Sequence, residues 1–166
     1  MKTFTTILFI SLIKLSVMAK EIKTEIIINA PIEKVWATLM DFENYSKWNT
    51  FITSIEGKSE VGQKLKAFLQ PPGAKGMTFK PKVLIVNPNQ EFRWVGHLLF
   101  PGIFDGQHNF KLIDNGDNTT TFIQSENFKG ILVPFLKKMI EVNTAQGFQQ
   151  MNEDLKREVE RAMKKR

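Results

Sequence analysis

Between Phe51 and Phe128 the chain reads as a succession of short strand-like runs, and after Gly130 as one helical stripe to its end. That order constrains the fold more than any other feature. The runs are FITSIEG, QKLKAFLQ, MTFKPKVLIV, QEFRWVGHLL, IFDGQHNFKLI and TTTFIQSENF. Turn chemistry separates them: Glu60-Val61-Gly62, PPGAKG, NPN, FPG and DNGDN. Upstream, KEIKTEIIINAP alternates at Ile22, Ile26 and Ile28 until Pro31 ends it, as a strand. Pro31 suits a first helical position, and Val35, Trp36, Leu39 and Met40 recur at helical spacing. Asp41 to Asn44 interrupt that pattern, and Tyr45 to Asn49 read as a second short helical turn. Past Gly130, Pro134 fits a first helical turn, and the stripe runs through Leu136, Ile140, Phe148, Met151, Leu155, Val159 and Ala162. Sequential strands with tight turns predict an antiparallel meander, whose bent sheet must cover its concave face. The long C-terminal helix is the element available to do so. The expected class is therefore α+β: a curved antiparallel sheet of about seven strands gripping one long helix, with two short helices after the first strand.

With 166 residues, 42% of them hydrophobic, the chain suits one domain over residues 19–166 that buries a real core. Fourteen Phe and three Trp are many for this size, so large apolar side chains line something. The net charge of +6 suggests nucleic acid until its distribution is read. Lys2 and Lys14 lie in the leader, and Lys164, Lys165 and Arg166 form a terminal run that complements a helix dipole. Without those five, 18 basic residues face 17 acidic ones, and a nucleic-acid partner is disfavoured. The absence of cysteine excludes disulfides, thiolate chemistry and zinc-finger spacing.

Residues 1–18 stand outside the fold. MKTFTTILFISLIKLSVMA has a basic start, an apolar stretch and a Val-Met-Ala ending that a signal peptidase accepts, so export is favoured. Lys14 shortens the apolar stretch to Ile7–Ile13, far too short to span a bilayer, and Met18 offers a cytosolic start as the alternative.

The run FDGQHNFKL, residues 104–112, poses the functional question. Phe104, Gly106, His108, Phe110 and Leu112 share one face, and Asp105, Gln107, Asn109 and Lys111 the other. A histidine thus stands in the apolar set, where leucine would be buried at no cost.

INAPIEKVWATLMDFENYSKWNTFI, MTFKPKVLIVNPNQEFRWVG, PGIFDGQHNFKL, TTTFIQSENFKGILVP and the closing GFQQMNEDLK resemble the START/Bet v 1-like superfamily. More closely, they resemble bacterial SRPBCC proteins of the polyketide cyclase/dehydrase type. The resemblance spans residues 20–163 in order. It implies a deep apolar cavity between sheet and long helix. Members bind varied hydrophobic ligands and only some catalyse a reaction.

Taking residues 104–112 and 120–128 as a hairpin, a pairing sum of 232 sets Phe110 opposite Phe122 and His108 opposite Gln124. It likewise sets Gly106 opposite Glu126 and Phe104 opposite Phe128, so aromatics meet aromatics on one face. A slip by one residue would put Lys111 opposite Phe122 and is rejected. The preceding strand divides into Phe92, Trp94, Gly96 and Leu98 inward and Arg93, Val95, His97 and Leu99 outward, which keeps His97 and His108 from sharing a metal. Met77, Phe79, Val83 and Ile85 extend the apolar wall. On the long helix Thr144, Gly147 and Phe148 fall between Ile140 and Met151. Gly147 either leaves space for a ligand or allows close helix–sheet contact.

The candidate ligand-binding residues are therefore Trp48, Phe79, Trp94, His108, Phe110 and Phe122, with Gln124, Glu126, Thr144, Gly147, Phe148 and Met151. A buried His beside a buried Glu is either a satisfied core pair or a polar anchor for a ligand's carbonyl or hydroxyl, and the anchor is favoured. Binding or transport of a hydrophobic small molecule, lipid or polyketide-like aromatic, is the expected function. A cyclase or dehydratase using His108 as general acid/base and Glu126 as its orienter is the first alternative. A protein-interaction module using the rim LLFPGIF is the second. The chain is more easily read as a binder than as an enzyme, and as a monomer without metal, cofactor or transmembrane span. PPGAKGMT lacks the spacing of a phosphate-binding loop.

Overall fold

In a computed structural model of the chain, residues 19–164 are described. The leader reading of residues 1–18, and the basic residues Lys165 and Arg166, lie outside the described residues. No helix among the described residues is long and apolar enough to cross a membrane.

Strand β1 (Ala19–Ile28) ends at Asn29–Ala30, and Pro31, in extended conformation with φ −60 and ψ 149, caps helix α1 (Ile32–Met40) instead of forming its first residue. Val35 and Leu39 are buried on α1, with Trp36 and Met40 packed beside them. A 3-10 turn over Phe42–Asn44 leads into the one-turn helix α2 (Tyr45–Trp48), so the two short helices stand where the sequence predicts. Tyr45 is fully buried and its hydroxyl donates to the Leu39 carbonyl at 2.7 Å, which joins the two helices.

Eight strands follow the expectation of about seven, because Pro81 divides MTFKPKVLIV. Strands β2 (Ile52–Glu56), β3 (Lys66–Leu69) and β4 (Met77–Phe79) form a small antiparallel sheet. Strands β5 (Lys82–Asn87), β6 (Glu91–Leu98), β7 (Phe104–Asp114) and β8 (Thr120–Lys129) form a meander, which β1 completes by pairing with β8. Proline has no N–H to give a ladder, so β4 and β5 part at Pro81 and enter different sheets. The Pro81 carbonyl accepts from Leu65 N–H at 2.8 Å, and a single bridge, Lys64 to Lys82, spans the two sheets.

The register of β5 corrects one inward assignment. A bulge between Val83 and Ile85 sets Val83 beside Trp94, Ile85 beside Arg93 and Val86 beside Phe92. An extra residue in one strand reverses parity beyond it, so Val86 takes the inner place expected of Ile85.

The β7–β8 pairing also differs from the expected one, by two residues. Asp114 faces Thr120, so His108 faces Glu126, Phe110 faces Gln124 and Leu112 faces Phe122. The turn decides this. Asn118 takes φ 61, Gly116 φ 80, and Asn115 N–H donates to the Thr119 carbonyl at 3.1 Å, which closes a tighter loop than the sequence implied. A shift of two preserves every face, so the aromatics still meet, now diagonally: Phe104 with Phe128 at 5.4 Å and Phe110 with Phe122 at 6.3 Å.

Beyond Gly130 the chain forms a 3-10 turn (Val133–Leu136), a π-helical turn (Met139–Thr144) and helix α3 (Ala145–Lys164), rather than one helix from Pro134. Within the π turn the Thr144 hydroxyl donates to the Met139 carbonyl at 3.2 Å. The stripe Phe148, Met151, Leu155 and Val159 is buried, each side chain contributing about 1.5–3 kcal/mol. Leu136 belongs instead to the 3-10 turn, and Ala162, expected at the stripe's end, is exposed. The result is the helix-grip arrangement, with α3 lying along β1 and β8.

Candidate functional site

Gly96 of β6 and Gly106 of β7 are direct cross-strand partners on the concave face. Two adjacent positions without side chains leave a hollow there, and a cavity of about 120 Å³ occupies it. Trp94, Leu98, Phe104 and Phe128 wall it on the large sheet, and Ala67, Leu69, Met77 and Phe79 on the small one. The π turn closes another side with Met139, Asn143 and Thr144, while Lys75 reaches it from the β3–β4 connection. A closed apolar cavity of ~150 Å³ accommodates benzene, so this one suits a single ring or a short acyl segment.

The polar wall is His108 and Glu126. His108 is 1% exposed, stacked on Phe110 at 4.2 Å, tilted against Phe148 at 4.7 Å and met by the edge of Trp94 at 5.4 Å. The Gln124 amide donates to His108 Nε2 at 2.9 Å, which leaves the ring proton on Nδ1. That nitrogen faces Glu126 Oε2 across 3.9 Å, too long for a hydrogen bond. Burial pushes the imidazole down to about 3 and the carboxyl up to about 8. At neutral pH both groups are therefore uncharged, the histidine as free base and the glutamic acid with its proton. Glu126 retains 15% of its side-chain surface, and because it lines the cavity that surface offers an O–H donor to an occupant.

Gly106 makes this placement possible. A Cβ on Gly106 would overlap Glu126 Oε1 and lie 3.2 Å from its Cδ, so the carboxyl occupies the space glycine vacates. The sequence expectation that Gly106 leaves room beside Glu126 survives the change of register, because the two are now diagonal neighbours.

The structure brings five of the twelve predicted residues to the cavity: Phe79, Trp94, His108, Glu126 and Thr144. Phe110, Phe122, Gln124, Phe148 and Met151 pack behind them in the solid core, with Trp48 beside Tyr45 at 4.9 Å. Gly147 does not open space: a Cβ there would overlap the Phe51 ring, whose Cγ lies 3.0 Å away, so it serves close packing. Phe51, Ala67, Leu69, Ala74, Lys75 and Asn143 were not foreseen in the site. Alternation of Ala67 with Leu69, and of Met77 with Phe79, was the available signal. It could not be used without knowing that β2–β4 form a separate sheet that folds over the hollow. His97 lies on the outer face, its Nδ1 2.7 Å from Asp105 Oδ1.

The model of a family described as polyketide cyclase/dehydrase and lipid transport matches residues 19–160. Among curated proteins none matches. Among solved structures, the Zhui aromatase/cyclase from Streptomyces sp. R1128 superposes with a TM-score of 0.73 at 14% identity, covering 88% of this chain and 96% of that one. A point mutant of norcoclaurine synthase from Thalictrum flavum, in complex with a transition-state analogue, gives 0.71 at 14% identity, covering 90% and 99%. A START superfamily protein from Mycobacterium smegmatis gives 0.69 at 16% identity, covering 86% and 98%. At such identities the likeness is one of fold.

Proposed function

This chain belongs to the polyketide cyclase/dehydrase and lipid transport family, and from that premise we propose that it sequesters or carries a small hydrophobic molecule bearing a hydrogen-bond acceptor. One observation carries the reading: an apolar cavity of about 120 Å³ whose wall holds the protonated Glu126 carboxyl over Gly106. A core pair without a ligand would gain nothing from facing an open hollow, and an apolar replacement would avoid the cost of desolvation. The volume favours one ring or a short chain over a sterol-sized ligand. In this reading the protein works as a monomer after export, with residues 1–18 removed.

Native mass spectrometry of the purified protein, with solvent extraction of what it carries, tests the proposal. Gly96→Phe is the blocking variant, because a Cβ at Gly96 meets nothing nearer than Pro81 Cβ at 4.0 Å and the ring enters the cavity. An extractable ligand present in the wild type and absent from a folded Gly96→Phe variant is expected. Equal loading of both would sink the cavity reading.

A second reading, cyclase or dehydratase chemistry, draws on the Glu126 pKa near 8, which suits a general acid at neutral pH. It shifts the proton-transfer role from His108 to Glu126, since His108 is held near 3 and resists protonation. Glu126→Gln would then abolish turnover of a candidate substrate while retaining its affinity. If affinity and turnover fall together, Glu126 is an anchor.

A further inference from the structure

The turn between β6 and β7 and the segment after β8 are tied backbone to backbone. Ile131 N–H donates to the Gly102 carbonyl at 3.2 Å and Leu132 N–H to the Ile103 carbonyl at 3.0 Å. Gly130, at φ 132, sits at this junction, where a Cβ would strike the Ile103 carbonyl oxygen. The joined segments carry the three most exposed large apolar side chains among the described residues: Phe135 at 82%, Leu99 at 75% and Phe100 at 72%. Ile131 adds a fourth at 42%. Leu99 holds φ 67, a left-handed backbone that leucine rarely adopts, and the outcome is an apolar side chain left in water.

Basic charge predominates around these tips, and the nearby Asp105 carboxylate is taken up by Gly102 N–H at 2.9 Å and His97 Nδ1 at 2.7 Å. Lys129, Lys137 and Lys138 are exposed on the second segment, and no acidic residue occurs from Asn127 to Ile140 or from Leu98 to Phe104. Glu141, at the edge, is engaged by Lys20 at 2.8 Å and lies 4.0 Å from Lys137. The same segments flank cavity-lining residues, Leu98 and Phe104 on one side and Phe128 and Met139 on the other.

We propose that this patch docks the protein on an anionic lipid surface, with Leu99, Phe100, Ile131 and Phe135 entering the acyl boundary and the lysines meeting headgroups. Separate protruding side chains with lysines on the adjoining segment match a fluid, negatively charged acceptor, which needs no shape complement. The proposal does not rest on the cavity holding a ligand. It does set the docked face beside the cavity's wall.

The test is sedimentation of the full chain with vesicles of phosphatidylcholine and phosphatidylglycerol in equal parts, against phosphatidylcholine alone. Partitioning onto the anionic vesicles is expected to fall about tenfold for each of Phe100→Ser and Phe135→Ser. It should fall about fivefold for each of Lys137→Gln and Lys138→Gln. Val61→Ser, a change at an exposed valine in the β2–β3 connection, should leave it unchanged. These side chains are exposed, so the variants keep the fold, checked by near-ultraviolet circular dichroism. Wild-type binding that ignores lipid charge, or survives Phe100→Ser with Phe135→Ser, overturns the proposal. So does absence of vesicle binding with a dimer that the double variant dissolves, which would assign the patch to a second copy of the chain.

Discussion

Gly106→Ala tests the proposed polar anchor separately from the fold. The added methyl overlaps Glu126 Oε1, lies 3.2 Å from Cδ and stands 3.5 Å from Phe128 Cε1, so only the tip of a flexible side chain obstructs it. Ordinary contact is restored when the carboxyl retreats by roughly 1 Å. Alanine in a strand interior is favoured over glycine by about 0.5–1 kcal/mol, which offsets part of that displacement. Global stability should therefore change by no more than about 1 kcal/mol. The hydrogen bond offered to a ligand is what goes, and at about 0.5–1.5 kcal/mol its loss is a change of roughly two- to twelvefold. Acetophenone and α-methylstyrene make a matched pair of probes, identical in outline but with only the ketone able to accept. Trp94 lines the cavity and reports their binding by fluorescence. The ratio of ketone to hydrocarbon affinity should drop by that factor in Gly106→Ala, even if the methyl weakens both. An unchanged ratio in a folded variant would refute the anchor, and a variant that fails to fold would show that Gly106 serves packing alone.

Folding lowers the pKa of His108 from 6.5 to about 3, so its contribution makes stability rise with pH over that interval. Glu126, raised from 4.5 to about 8, makes stability fall as pH climbs through its own interval. The two cancel between 4.5 and 6.5, and a decline of up to about 2 kcal/mol toward pH 8 is expected. Thermal melts of Glu126→Gln should lose that alkaline decline; if they keep it, another group titrates there. Gly147→Ala gains about 1 kcal/mol of helix propensity yet drives a Cβ into Phe51, so urea unfolding should show a net loss of about 1–3 kcal/mol. A stabilised variant would mean that the Phe51 ring moves aside freely. Asp154, 4% exposed, accepts from Thr50 N–H at 2.9 Å and Thr50 Oγ1 at 2.6 Å. Asp154→Ala should cost about 2 kcal/mol in the same assay, and a change under about 0.5 kcal/mol would show that water replaces the carboxylate.

Periodicity made part of this arrangement readable from the residues alone. Alternation placed His108 among Phe104, Gly106 and Phe110, and put His97 on the opposite face. Parity depends on odd against even spacing, so it is readable without a partner strand. The stripe from Phe148 to Val159 was legible for the same reason, at a period of 3.6. Turn residues located the strand ends, and the order of elements was enough to predict sheet around helix.

Register and layer spacing depend on long-range packing. A register shift of two residues changes no face, so the hydrophobic pattern could not tell His108 opposite Gln124 from His108 opposite Glu126; the backbone of the Asn115–Thr119 loop did. Pro81 was visible as a residue, but that it sends β4 and β5 into separate sheets depends on β3 standing ready to pair with β4. The cavity is a volume, set by how far the small sheet and the π turn approach the Gly96–Gly106 hollow, and no periodicity encodes a distance between layers. For that reason His108 and Glu126 border the cavity, while Phe110, Phe148 and Gly147, which share the same inward faces, fill the space instead.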